Sequence, residues 1–586
     1  MGNREGTALR YSIFFSVISF FLLAIFLQLI RVQILDATKY QLKSKSNSVK
    51  EIPIVAPRGI FFDRNFKPLV SNKPTYTIDV IPAYFDTSTF RTFASILNFD
   101  EKTKKKIVKL KFSAYSKYKP LRVEKGLTFK EISTLEEFID LIPGLEINLQ
   151  PARDYSYGVK GSHIFGYLQE ITAEELKKRK SDYVAGDLIG ASGLERSYEK
   201  YLRGIKGKKF IVVDSKQRFI KYFNHGKNDI PPIKGNDLLL TIDKKTQQVA
   251  EKLLQGKKGA AVAIEIKTGG IIALASAPDF DLEKLFSASV SEWENLVTDP
   301  AKPMFNRVTM SLYPPGSTIK PLEALAGLSE NFVTPNFKIV CKGGIYYGDR
   351  FFGCDHVHGK VNLVQSIEES CNTYYYLLFL KMGYPTWYKY MRLFGFGHKT
   401  GIDIYEEKSG LLPDSNYYNK RLGKRRWNNG TLLSLSIGQG ELSVTPIQLA
   451  KYVALIANNG KLTVPHLVQG YIENKSNEVK FFDYDKIHLN FNKQKLKYVK
   501  EGMEKVVLSN EGTAHNIYDK KILIAGKTGT SQNPHGKNHA LFIAYAPIDN
   551  PQIAVAVVVE NAGYGSTHAA PVAYKIIKTF LSESKK

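Results

Sequence analysis

Tyr313-Pro314-Pro315-Gly316-Ser317-Thr318-Ile319-Lys320-Pro321 decides how the other residues of this 586-residue chain are read. Two prolines and a glycine interrupt whatever precedes them, and a helix-forming run follows from Leu322 to Leu328. Ser317 therefore falls at a helix N-terminus, with Lys320 one turn away on the same face. A lysine amine with a depressed pKa can take the serine proton, which turns the serine into a nucleophile. Free amides at the helix start stabilise a negative oxygen forming on an acyl carbon. A bare S-x-x-K is also what an N-cap serine followed by a surface lysine looks like, so the decision rests on other parts of the chain.

Two further motifs follow in order: Ser370-Cys371-Asn372, then Lys527-Thr528-Gly529-Thr530. S-x-x-K, S-x-N and K-T-G in this sequence mark penicillin-recognising serine enzymes. Their surroundings (YPPGSTIKP, SIEESCNTYYY, Leu435–Gly440 as LSIGQG and Gly526–Gln532 as GKTGTSQ) make the chain resemble the class B penicillin-binding proteins, and among them the elongation-type penicillin-binding protein 2 group. YPPGST and SCNTYYY lean towards elongation and away from the division enzymes. Asn372 stands where many of that group carry aspartate, and Thr528 where many carry serine. A non-catalytic β-lactam sensor of the same fold is the remaining alternative, and the three intact motifs argue against it.

Length and composition suit two or three folded domains. Tyr11–Ile30 is an uncharged run long enough to cross a bilayer as a helix. No small-x-small cleavage site follows it, so an uncleaved anchor is expected. Arg4 and Arg10 precede the run, while Arg31, Lys39, Lys43, Lys45 and Lys50 follow it. That count alone favours the wrong side, but long downstream domains translocate largely regardless of charge. The resemblance implies an N-terminus inside and a catalytic domain outside the cytoplasmic membrane. The net charge of +26 suits anionic membrane or acidic cell-wall polymer. No nucleic-acid-binding module is present.

Along the chain, Ala56-Pro57-Arg58-Gly59-Ile60-Phe61-Phe62-Asp63-Arg64 resembles the start of the family's non-catalytic pedestal. Taken alone it reads as a turn with an exposed ion pair. Arg153, His163, Gly166-Tyr167 and Gly193-Leu194-Glu195 resemble later pieces of that module. Lys102–Lys111 (KTKKKIVKLK from Lys102) fits a helix-leaning inserted head. Pro231-Pro232-Ile233-Lys234-Gly235-Asn236-Asp237 reads as a linker. A strand is expected at Leu238–Ile242, a helix at Lys244–Leu254 and a hairpin at Ala261–Ile266 and Ile271–Ala275. Helical and irregular chain then fills more than two hundred residues. Strands return at Ile522–Ala525, Ala540–Ala546 and Ile553–Glu560, and a helix closes the chain from Pro571 to Leu581. Strands from both ends around a helical middle imply one antiparallel sheet with helices on both faces. The expected class is α+β: a penicilloyl-serine transferase fold with a five-stranded sheet, preceded by a transmembrane helix and an elongated mixed pedestal. The expected division is a tail at 1–10, an anchor at 11–33, a pedestal at 36–235 with a head at about 75–150, and a transpeptidase domain at 236–586.

The resemblance implies a peptidoglycan D,D-transpeptidase. Ser317 would attack the carbonyl between the two D-alanines of a stem peptide, Lys320 would accept its proton, and the backbone amides of Ser317 and Thr530 would form the oxyanion hole. Ser370 would relay a proton, held by Lys320 and Lys527, and Asn372 would bind the substrate amide. Lys527, Thr528, Gly529 and Thr530 would hold the terminal carboxylate on an edge strand, with Gly529 sparing room for substrate. An amine from a second stem peptide would resolve the acyl-enzyme, and β-lactams would acylate Ser317. Catalysis would need no cofactor. Implied partners are lipid II-derived strands, a membrane polymerase of the RodA type and an MreC-type scaffold.

The only three cysteines, Cys341, Cys354 and Cys371, cluster with His358 as C-x12-C-x3-H-x12-C. Three thiols and an imidazole form a complete tetrahedral zinc set, with Asp349, Asp355 and His356 as alternative ligands. The second reading is a Cys341–Cys354 disulfide beside a buried Cys371 thiol, which suits an oxidising compartment. His535 and His539, just past the Lys527 motif, read as loop histidines without an assigned role.

Overall fold

The computed structural model describes residues 3–35, 48–81, 84, 121–127, 129–137, 139, 142–179, 183–184, 186–214, 219–424 and 426–583. Lys39, Lys43, Lys45 and the Lys102–Lys111 stretch lie outside them.

The chain divides into two compact units. The first is Met1–Ala56 with Ile205–Ile233. Its helix Asn3–Ile30 contains Ser12–Ile30, long and apolar enough to cross a membrane. Phe14, Phe15, Phe20, Phe21 and Leu22 are all exposed on it, a burden in water but not in hydrocarbon. The same unit holds a three-stranded antiparallel sheet in the order Val49–Ile54, Gly207–Val213, Phe219–Tyr222, with Val49 opposite Val212 and Ile54 opposite Gly207.

The second unit, Pro57–Gly204 with Lys234–Lys586, contains the predicted five-stranded sheet. Its order is Ile271–Ala277, Gly259–Glu265, Ile553–Val559, His539–Ala546, Ala525–Ser531, antiparallel throughout. The first and last segments of this half therefore meet at its centre, Gly259 opposite Val559. Ile553–Val559 is buried along its whole length, because helices cover both faces and neither needs to be polar. Lys244–Leu254 and Ala570–Glu583 pack together on it, as does Pro446–Ala457. The last is buried at every position but Lys451, as an all-round apolar helix must be, and a Thr445–Gln448 capping box with Pro446 starts it.

The expected helical and irregular middle is only partly so. It also holds four short strand pairs: Lys338–Cys341 with Gly359–Asn362, Gly344–Tyr347 with Arg350–Gly353, Lys461–Thr463 with Lys486–His488, and Val468–Ile472 with Val479–Phe481. Strands this short carry too few residues for an alternation to register.

The strand after the linker, Asp237–Leu240, lies parallel to Phe61–Phe62 and antiparallel to Val468–Ile472. One seven-stranded sheet thus joins pedestal and catalytic segments. The Pro57-Arg58-Gly59 motif is not the exposed ion pair that its text alone suggests. Arg58 bridges Glu195 at 2.6 Å and Glu199 at 2.7 Å, and Arg153 bridges Glu195 at 2.6 Å, all largely buried. Arg153 also donates to Gly59 O at 2.6 Å. Removing one member of such a network strands a buried charge, at a cost of roughly 3–5 kcal/mol. A Cβ on Gly59 would lie 1.8 Å from Asn236 O, which explains the glycine. His163 is partly buried, edge-on to Phe280, and desolvation lowers its pKa to about 4, so it packs as a neutral ring. A separate small core gathers Ile78, Val80, Leu127, Ile132, Leu135, Ile142 and Leu145.

Candidate active site

Ser317 sits in a single 3₁₀ turn, Gly316–Ile319, that feeds the helix Lys320–Ser329 with Pro321 in its first turn. The turn is clamped from several sides. Gly316 N donates to Gly438 O at 2.9 Å, Tyr313 and Val444 exchange backbone hydrogen bonds, and Thr318 Oγ1 donates to Pro315 O at 2.7 Å. Gly438 has φ of 69° and a Cβ there would meet Gly316 O at 2.2 Å, so the LSIGQG segment is the backing of the nucleophile turn. Ser317 itself is half-buried and its hydroxyl has no hydrogen-bond partner among the described residues.

Lys320 is fully buried. Its Nζ donates to Asn372 Oδ1 at 2.6 Å, Ser370 O at 2.6 Å and Ser370 Oγ at 3.2 Å. Burial lowers its pKa to about 8, which makes a neutral, proton-accepting amine accessible. Glu323, one turn on, is wholly buried with neither carboxyl oxygen paired among the described residues, and burial holds its pKa well above the ordinary value. A neutral Glu323 gives Lys320 no counter-charge from its own helix, so the opposing negative charge comes from Cys354 and Asp355. Lys527 is buried as well; its Nζ donates to Thr528 O at 3.1 Å, and desolvation, with Lys320's charge adding, lowers its pKa strongly. The expected support of Ser370 thus comes from Lys320, while Lys527 is bonded within its own strand.

Ser370 has φ of 62°, a left-handed conformation that costs a serine roughly 1–3 kcal/mol at such a site. It ends the helix Leu363–Glu368 sharply and turns its hydroxyl to Lys320 before the helix from Asn372 begins. Ser370→Gly is therefore expected to raise stability by about 1 kcal/mol while slowing acylation roughly a hundredfold through loss of the hydroxyl. Thermal unfolding and labelled-penicillin uptake read the two effects separately, and a destabilised, fully active variant would contradict this account. The Asn372 side chain is already engaged at both ends, its Oδ1 by Lys320 and its Nδ2 by Gly353 O at 3.3 Å.

Ala525–Ser531 is the edge of the five-stranded sheet, with Lys527 opposite Ile543 and Thr530 opposite Ala540. The Thr528 hydroxyl bonds Thr513 Oγ1 at 2.8 Å. Gln439 Nε2 donates to Thr530 O at 3.3 Å. No motif marked Thr513 as a support of this strand, whereas Gln439 lies within the LSIGQG segment, which was given no role. Gly529 also has close neighbours within the protein. A Cβ there would meet Thr318 Cγ2 at 2.7 Å and Pro315 O at 3.2 Å, so this glycine lets the strand close on the nucleophile turn. His539 stacks edge-on to Tyr313 at 5.5 Å and accepts from Asn561 N, a structural task, while His535 is exposed.

The cysteine cluster forms the adjoining wall. Cys341, Cys354, Cys371 and His358 each offer a ligand atom, all within 4.8 Å of one another, and the three cysteines are not disulfide-bonded. His358 Nδ1 lies 3.5 Å from both Cys341 Sγ and Cys354 Sγ, and its Nε2 lies 3.3 Å from Glu369 O. A carbonyl behind the far nitrogen is how metal-binding histidines are oriented. A hydrogen bond from Cys371, with Lys320 and His358 nearby, pulls the Cys354 thiol down to about 3. The donor set and its orientation fit Zn²⁺. Asn372 N donates to Cys354 Sγ at 3.1 Å, so the cluster grips the S-x-N motif directly.

A serine in a clamped turn, a buried lysine beside it and a K-T-G edge strand define a serine acyl-transferase of the penicillin-binding class. The chain belongs to the penicillin-binding protein transpeptidase family: residues 259–578 match the penicillin binding protein transpeptidase domain, and residues 53–240 the penicillin-binding protein dimerisation domain. It is similar to the peptidoglycan D,D-transpeptidase MrdA of Escherichia coli K12, 32% identical over 92% of this chain and 88% of that protein. The solved complex of penicillin-binding protein PBP2 with MreC from Helicobacter pylori superposes with a TM-score of 0.79 at 26% identity, covering 92% of this chain and all of that one. A solved peptidoglycan synthase complex that coordinates polymerization and crosslinking gives a TM-score of 0.70 at 27% identity over 99% of this chain and 98% of that one.

Proposed function

We infer that the chain is a peptidoglycan D,D-transpeptidase of the elongation type, acting through an acyl-enzyme on Ser317. The observation that carries this reading is Lys320: a fully buried amine with a lowered pKa, three positions from a clamped serine. Ser317 Oγ attacks the D-Ala-D-Ala carbonyl and Lys320 takes its proton. The amides of Ser317 and Thr530 face the developing oxyanion. Ser370, bonded to Lys320, passes the proton to the departing D-alanine nitrogen. Lys527, Thr528 and Thr530 hold the terminal carboxylate. A second stem peptide's amine then attacks the ester, freeing Ser317 and leaving a cross-link. β-Lactams stop at the ester.

Cys341, Cys354, His358 and Cys371 would hold a structural zinc, which supplies no chemistry to the reaction and ties the S-x-N loop to residues 341–358. Ser12–Ile30 anchors the enzyme in the cytoplasmic membrane with the catalytic half outside. Likeness to the MreC-bound relative and to a synthase complex supports an MreC-type scaffold and a RodA-type polymerase as partners.

Incubation of the full-length protein in detergent with a penicillin, followed by peptide mass spectrometry, tests the reading. One adduct on the peptide containing Ser317 is expected. An adduct elsewhere, or none, overturns it.

A further inference from the structure

Tyr346 and Phe351 face each other across the hairpin Gly344–Tyr347/Arg350–Gly353, ring centroids 5.0 Å apart, and remain 75% and 51% exposed. The hairpin does not need them for its core. That task falls to the opposite face, where Phe352 is buried 5.6 Å from the Tyr376 ring. The Phe351 ring is nevertheless held in place. A Cβ on Gly344 would strike the Phe351 ring at 2.5 Å, and one on Gly353 would lie 3.7 Å from it, so two opposed glycines let that ring lie against the backbone. Tyr347 props the hairpin against Gly430, where a Cβ would meet its ring at 3.0 Å.

The hairpin is rooted in the catalytic site. Gly353 O accepts from Asn372 Nδ2 at 3.3 Å and from Tyr376 OH at 3.1 Å. Phe351 is two residues out from Gly353, about 7 Å along the strand. Lys338, Lys342, Arg350 and Lys360 are exposed on the same 338–362 segment, outnumbering the exposed acids Asp349 and Asp355.

We propose that the Tyr346–Phe351 pair is the subsite for the sugar of the acceptor strand, the glycan whose stem peptide brings the attacking amine. The proposal rests on the transpeptidase reading, because only that reaction has a second strand. Exposed aromatic faces, one of them packed against backbone, suit the apolar C–H face of a sugar ring, and the basic side chains suit the carboxylates of its peptide. A protein occupant fits less well. Two rings bury at most roughly 300–500 Å², below the ~800 Å² per partner of a stable protein interface. The platform also adjoins the S-x-N motif, and the K-T-G strand is left to the donor.

The full-length double variant Tyr346→Ala/Phe351→Ala is compared with the parent in three reactions: uptake of labelled penicillin, transfer to a free D-amino acid, and transfer to uncross-linked peptidoglycan strands. The first two are expected to stay within about twofold of the parent. Strand transfer should fall tenfold or more through KM, and peptide-free glycan chains should inhibit the parent's strand transfer but not the variant's. Unchanged strand transfer overturns the proposal. So does an equal fall with the D-amino acid, which would mean that the pair merely holds Asn372. If the double variant loses thermal stability, Tyr346→Ala alone, the more exposed ring, carries the same test with a smaller expected loss. A parent that takes no penicillin on Ser317 would refute the transpeptidase reading instead.

Discussion

Ser317→Ala is expected to lose covalent uptake of labelled penicillin by roughly 10⁴-fold or more, the scale on which removing a nucleophile acts. Its melting temperature should match the parent's, because the hydroxyl is half-buried and pairs with nothing among the described residues. The informative comparison is Lys320→Met. That variant should also lose acylation, and it should be less stable, since Ser370 O and Asn372 Oδ1 lose the ammonium that serves both. An unsatisfied buried acceptor costs roughly 1–3 kcal/mol. Equal melting temperatures for the two variants would contradict the hydrogen-bonded position given to Lys320. Residual drug ester in Ser317→Ala would move the nucleophile elsewhere.

Cys354→Ser is expected to have the second-largest effect. Protein purified without chelator should carry about one zinc per chain in the parent and less than one per two chains in the variant, read by elemental analysis. The melting temperature should drop by about 5 °C or more, because a structural site contributes its binding energy to folding. Acylation should slow roughly 10–100-fold, since Asn372 N loses its sulfur acceptor and the S-x-N loop its tether. A parent free of metal would show instead that the cluster acts as thiols alone.

The chemistry was legible because nucleophile, base and carboxylate-binding strand each need a fixed residue at a fixed spacing, and such text survives without any view of the fold. The central sheet was legible for another reason: Gly259–Glu265, Ile271–Ala277 and Ile553–Val559 are long apolar runs bounded by turns. Residues 338–362 were not. Their strands are four residues long and mix lysine, glycine and aromatic side chains, so no period emerges. Thr513 supports the site through a single hydrogen bond that nothing local marks, and the LSIGQG text singles out the segment of Gln439 without naming its partner, Thr530. Gly529 stood out as a close approach, but a glycine does not announce its partner, and Thr318 and Pro315 could not be read from the text. The strand Asp237–Leu240 was found, but not its place in a sheet shared with Phe61–Phe62, a pairing distant in sequence.

Around the nucleophile, main chain meets main chain: Gly438 on Gly316 O, Gly316 on Thr530 O, and Gly565 on Gly529 O, each too near for even a methyl group. These three positions are consequently closed to any side chain. A lineage under antibiotic selection could not reshape the drug's bed at these backbone contacts without wrecking its own wall-building chemistry. Escape variants would have to arise at the margins, among residues whose side chains still have room to change.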